Sequence, residues 1–81
     1  MLPAQCRAGR AILDITQPQL ATMSGVSPST IRDFESGKRT PISNNLQAIR
    51  TALESAGVIF IDQNGNGPGV RLRDRQPENE S

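Results

Sequence analysis

The sequence has no histidine, tryptophan or tyrosine; its only aromatic residues are two phenylalanines, and Cys6 is its single cysteine. A structural zinc site draws on several Cys or His residues at set spacings, and a disulfide framework needs paired cysteines, so neither organises this chain. Without a histidine beside it, Cys6 also lacks the base that would make it a nucleophile, and it reads as a small core residue. Long hydrophobic runs are missing too. The "AIL" at residues 11–13 is interrupted at once by Asp14, so neither a signal peptide nor a transmembrane segment is expected and a reducing cytoplasm is the expected location. With 81 residues there is room for one small domain with a thin margin of stability, not for a large enclosed active site. No acid-base constellation or metal cluster is visible, so neither an enzyme nor a bound cofactor is expected.

Net charge is small too, only +1 from nine basic and eight acidic residues, but the charges are unevenly spread. The last six residues, "QPENES", hold two acids and no base, which leaves residues 1–75 with nine Lys and Arg against six acids. A mildly basic globular part permits nucleic acid as a partner without requiring it.

What is abundant is helix punctuation. "PAQCRAGRAIL" at 3–13 opens with Pro3 and sets Cys6, Gly9 and Leu13 on one side, predicting a first helix. "TQPQ" from Thr16 is a capping box for a second helix that runs to about Met23 and stops at Gly25. Ser27 followed by Pro28 starts a third, "PSTIRDFES", closed by Gly37. Ser43 is the expected cap of a fourth helix, whose Leu46, Ile49, Leu53 and Ala56 form an apolar stripe ended by Gly57. The pattern then changes period. "VIFI", the turn cluster "DQNGNGPG" and the alternating "VRLR" predict a β-hairpin over 58–73, and the charged, apolar-poor residues 74–81 are expected to be disordered.

Two short helices joined by a turn containing Gly25 make a helix-turn-helix. The stretch "TQPQLATMSGVSPSTIRDFESGKRTP" resembles the lambda-repressor and Cro-like DNA-binding domains, the XRE family, with Leu20, Ala21, Val26, Ile31 and Phe34 in inward positions and "FESGKRTP" as the family's usual ending. The resemblance covers about residues 5–57 and implies a mainly α fold of four short helices, to which this chain adds the hairpin. Many family members continue instead with a fifth helix, so the manner of dimerisation departs from the pattern.

With Ile31 and Phe34 turned inward, the third helix presents Pro28, Ser29, Arg32, Asp33 and Ser36 outward, because three- and four-residue spacings share a face. Such side chains match the donors and acceptors of the major groove, where Arg grips guanine, Ser serves either role and Asp accepts from cytosine. The resemblance assigns base reading to the first residues of this helix, Pro28, Ser29 and Thr30, and to the position of Asp33; an ordinary solvated face is the plain alternative. By the same resemblance Gln17 grips a phosphate from the start of the second helix, and Lys38 and Arg39 follow the recognition helix as further phosphate contacts or as a solvated loop. Arg10 and Glu35 match a charged pair that ties the first helix to the third.

Two other patterns are weaker. Asp62, Asn64, Asn66 and Gly67 follow the first half of a calcium loop, but the closing glutamate falls on Arg73, whose charge repels a cation; a hairpin turn explains the same residues. "GNGPG" hints at a phosphate cradle, yet neither a lysine nor a helix follows it.

The sequence therefore describes a DNA-binding transcriptional regulator, a repressor or an activator, acting on double-stranded DNA as a homodimer over a palindromic operator. Residues 1–57 are expected to form the DNA-binding domain, and the hairpin 58–73, with Val58, Ile59, Phe60 and Ile61, is the expected dimer contact. Protein partners such as a toxin, an antiactivator or RNA polymerase stay open. An antitoxin that also binds its own promoter, or an interaction module that has lost DNA binding, are the competing readings.

Overall fold

Each helix boundary has a local cause. In the computed structural model, which describes residues 1–63 and 65–73, the order is α1 (Pro3–Leu13), α2 (Gln17–Ser24), α3 (Pro28–Glu35), α4 (Ser43–Ser55), β1 (Val58–Ile61) and β2 (Gly69–Leu72). The expected tail from residue 74 lies outside the described residues, as does Asn64 of the calcium-like loop. Pro3 sits at the first position of α1, where a missing amide costs nothing. Both halves of the α2 capping box are formed: Gln19 N donates to Thr16 Oγ1 at 3.2 Å, and Thr16 N donates to Gln19 Oε1 at 2.8 Å. Gly25, at φ 72°, ends α2 with its amide on Ala21 O, and Ser27 caps α3 by accepting from Thr30 N at 3.2 Å.

The fourth helix departs from expectation at both ends. Its N-cap is Ile42, whose carbonyl already accepts from Leu46 N at 3.0 Å, so Ser43 is the first helical residue and caps nothing. Ala56 is exposed beyond the last turn, and the buried stripe is Ile49, Ala52 and Leu53, with Leu46 half-buried beside it.

One core unites all the elements. Leu20, Ile31, Phe34, Ile49 and Leu53 from the helices and Val26 from the turn between α2 and α3 join Val58 and Phe60 from β1. Burying a side chain of this size stabilises by about 1.5–3 kcal/mol, so these few residues carry much of the fold. Antiparallel pairing of Val58 with Leu72 and Phe60 with Val70 gives the hairpin an inner face, while Ile59, paired with Arg71, and Ile61, paired with Gly69, take the other. Val58 and Phe60, two of the four side chains expected at a dimer contact, are thus 2% and 8% exposed within the subunit, because strand alternation turns them onto the helices. Arg50 of α4 lies 5.0 Å from the centre of the Phe60 ring and pairs with Glu54 at 3.1 Å and Asp62 at 3.8 Å. Asp62, the first position of the calcium-like loop, is by this contact part of the hairpin's attachment.

Gln5 makes a second attachment. Its buried amide nitrogen donates to both Ile61 O and Gly69 O at 3.1 Å, one on each strand, and its oxygen accepts from Leu2 N at 2.8 Å. Among the described residues, no helix is long and apolar enough to cross a membrane.

Candidate nucleic-acid interface

The outward face of α3 is built on what the helix buries. Ile31 and Phe34 are 0% and 3% exposed, and Glu35 turns inward with them. That leaves Pro28, Ser29, Arg32 and Ser36 exposed, with Thr30 and Asp33 half-buried at the margin. The i, i+4 spacing sets Ser29 and Asp33 on one side of the helix, where they share a small cleft of about 120 Å³ with Thr30, Arg39 and Pro41. Arg32 Nε lies 3.6 Å from Asp33 Oδ1, but the arginine side chain is two-thirds exposed, so this pairing is weak and leaves the guanidinium available.

The first turn is ordered by hydroxyls. Ser27 Oγ, besides capping Thr30 N, lies 2.8 Å from Thr30 Oγ1 and 3.3 Å from Ser29 Oγ. Hydroxyl hydrogens rotate to suit their partners, so either member of each pair can turn a donor or an acceptor outward.

The end of α3 fixes the loop that follows. Gly37, at φ 79°, donates its amide to Phe34 O, and Lys38 N donates to Asp33 O at 2.9 Å, the two bonds of a Schellman motif. Arg39 N and Ser36 Oγ also donate to Asp33 O. Lys38 and Arg39 therefore leave α3 in a defined direction, with both side chains exposed.

Behind the face lies a buried charge. Arg10 Nε donates to Glu35 Oε2 and Arg10 Nη2 to Glu35 Oε1, both at 2.7 Å. Gln17 Nε2 donates to Oε1 at 2.9 Å and Cys6 Sγ to Oε2 at 3.1 Å; Arg7 Nη1 donates to the Glu35 backbone carbonyl, and Arg10 Nη1 to Ile15 O at 3.2 Å. Burial works to raise the Glu35 pKa, but the hydrogen bonds from Arg10, Gln17 and Cys6 outweigh it and hold the carboxyl below its ordinary value. The same hydrogen bond raises the Arg10 pKa. Burial, together with the neighbouring carboxylate, pushes the Cys6 thiol up, so it is a proton donor here and not a reactive thiolate.

Of the residues expected at the site, Gln17 opens α2, Pro28 to Asp33 lie along α3, Ser36 caps its end, and Lys38 and Arg39 follow; the structure brings Ser29, Thr30, Asp33 and Arg39 around one cleft, while the Gln17 side chain turns to Glu35. Ile59 and Ile61 belong to the hairpin, which packs on α1 and α4. Sequence reasoning did not find the thiol of Cys6 as a ligand of Glu35 or the amide of Gln5 as the hairpin clamp. The only signal for Gln5 was a polar residue beside Cys6 on a helix meant to bury that side.

A helix-turn-helix family model, HTH_3, matches residues 7–56. No curated protein matches the chain. Among solved structures, the solution NMR structure of the DNA-binding domain of the P22 C2 repressor (1–76) aligns with a TM-score of 0.60 at 36% identity, over 67% of this chain and 72% of that one.

Proposed function

The chain belongs to the HTH_3 helix-turn-helix family, the lambda-repressor-like or XRE group of DNA-binding domains, and on that premise we propose that it regulates transcription as a homodimer on a palindromic operator. The observation that carries the reading is the outward polar face of α3, standing on the buried Ile31, Phe34 and Glu35. A face of this width suits the major groove, which admits one helix. Pro28, Ser29, Thr30, Arg32, Asp33 and Ser36 read or border the base edges. Gln17, Lys38 and Arg39 grip phosphates on either side, and these contacts set the register of the helix in the groove. The cleft shared by Ser29, Thr30 and Asp33 supports a composite reader, because it presents hydroxyls and a carboxylate together, with Arg39 at its border. Repression follows where such a site overlaps a promoter; the similar P22 C2 protein is itself named a repressor.

Residues 1–57 are the DNA-binding part in this reading, and the hairpin 58–73 joins two subunits. With Val58 and Phe60 engaged in the subunit core, the contact falls to Ile59 and to Ile61, which is 38% exposed, and to the outer strand edges. Two-fold symmetry then sets half-sites about one helical turn apart, or a multiple of it.

Selection of binding fragments from a random DNA pool tests the whole reading. A recovered motif with two inverted half-sites is the expected result; recovery of no motif, with binding that ignores sequence, would remove the operator. An Ile61→Asp variant measured for mass in solution tests the dimer: the expected result is a monomer that occupies half-sites weakly, and an unchanged dimer would move the contact elsewhere.

A further inference from the structure

Glu35 is 3% exposed, and its carboxylate accepts from four donors: Arg10 Nε and Cys6 Sγ on Oε2, Arg10 Nη2 and Gln17 Nε2 on Oε1. An ionised carboxylate offers about four lone-pair sites, so its accepting capacity is filled. An ion pair alone would account for Arg10. It does not account for Gln17, whose side chain lies at the N-terminus of α2, the end of a helix at which an anion is favoured. A glutamine amide carries two N–H bonds about 120° apart in one plane. With one of them held by Glu35, the direction of the other is set before any ligand arrives.

We propose that Glu35 is a positioning residue for the phosphate grip of Gln17, and that Cys6 is the donor that keeps the carboxylate seated for that task. The inference rests on the reading of Gln17 as a phosphate contact. A free glutamine side chain samples many rotamers and loses them on binding; a chain already held loses few, which corresponds to about a two- to tenfold gain in affinity. Cys6 is fully buried and remains protonated, so it donates permanently to Oε2. Without it, Oε2 keeps a bare lone pair in a region closed to water, and the carboxylate, still forked by Arg10, loses the contact that fixes its tilt toward Gln17.

Cys6→Val is the direct test, since it keeps an apolar side chain of similar size, removes the donor and leaves the Arg10–Glu35 pair in place. Cys6→Ser restores a donor, and Glu35→Gln, checked for folding, removes the charge. The free protein is read by the ¹⁵N–¹H signals of the Gln17 side-chain amide, and binding by affinity for a DNA duplex of arbitrary sequence at fixed salt. In Cys6→Val the Gln17 amide should shift toward its solvent position and exchange faster, and affinity should fall about two- to fivefold. Cys6→Ser should recover both. In a Gln17→Ala background, Cys6→Val should produce no further loss of affinity, a result that a general loosening of the fold would not give. An unmoved Gln17 amide in Cys6→Val and Glu35→Gln, or an equal loss with and without Gln17, would overturn the positioning role. Full affinity in Gln17→Ala alone would instead overturn the phosphate reading, whatever the amide does.

Discussion

Arg10 and Glu35 meet in a two-pronged ion pair, Nε on Oε2 and Nη2 on Oε1, both at 2.7 Å, that fastens the last turn of α1 to the last residue of α3. The fork geometry is the strong form of such a contact, and it is shielded on the glutamate side. α3 is thereby held from behind, at the end opposite its first turn.

Removing one partner should therefore be costly. Glu35→Gln or Arg10→Met is expected to lower stability by about 3 kcal/mol, because the remaining charge is left without its pair, with the solvent-touching side of Arg10 keeping the loss at the lower end of the buried range. The pH dependence has a definite sign. The folded pKa of Glu35 lies below the unfolded value of about 4.3, so its contribution is fully present above that value and fades as pH falls through the folded pKa. Urea unfolding from about pH 7 to about pH 3 should show a steeper acid loss in the parent than in Glu35→Gln. Parallel curves would mean that Glu35 carries no linked proton.

Base reading is tested at Arg32. Its exposed guanidinium is expected to make a bidentate contact, so Arg32→Ala should cost about 1–3 kcal/mol on the preferred site and relax the choice at one base pair in each half-site. Fragments selected by the variant would show this directly. A motif identical to the parent's would make Arg32 a surface charge.

Phosphate gripping is tested at Lys38 and Arg39. Alanine at either position should weaken binding to all sequences alike and reduce the slope of log affinity against log salt by about 1 for each phosphate no longer neutralised by a subunit, since fewer counterions are released. Arg39 borders the cleft with Ser29, Thr30 and Asp33, so a change of sequence preference in Arg39→Ala, with the slope intact, would move it from phosphate to base.

The hairpin should depend on Gln5. Gln5→Leu leaves the Ile61 and Gly69 carbonyls without their shared donor, an expected cost of about 1–3 kcal/mol. Amide exchange across β1 and β2 should rise well before that in α2 and α3. Uniform protection in the variant would show that the strands stay docked without the Gln5 clamp.

Local chemistry was enough to define the helices. Thr16 with Gln19, Ser27 with Pro28, Gly25 and Gly37 each act within four residues, so their effect is written where they stand, and the α2–turn–α3 unit follows from them. Even so, Asp14 ends α1 in the left-handed region at φ 58° without a glycine to announce it, and Ile42 takes the cap position expected of Ser43. The polar face of α3 was legible because Ile31 and Phe34 fix the buried side by spacing alone. Chain folding decided the rest. Cys6 finds Glu35 across 29 residues, and Gln5 finds Gly69 across 64. In the sequence, "VIFI" looked uniformly sticky. Only packing against α1 and α4 selected Val58 and Phe60 for the core and left Ile59 and Ile61 on the other face. Caps and turns are settled by neighbours in sequence, whereas a buried donor is assigned to its acceptor only when helices from distant parts of the chain come into contact and exclude water around both.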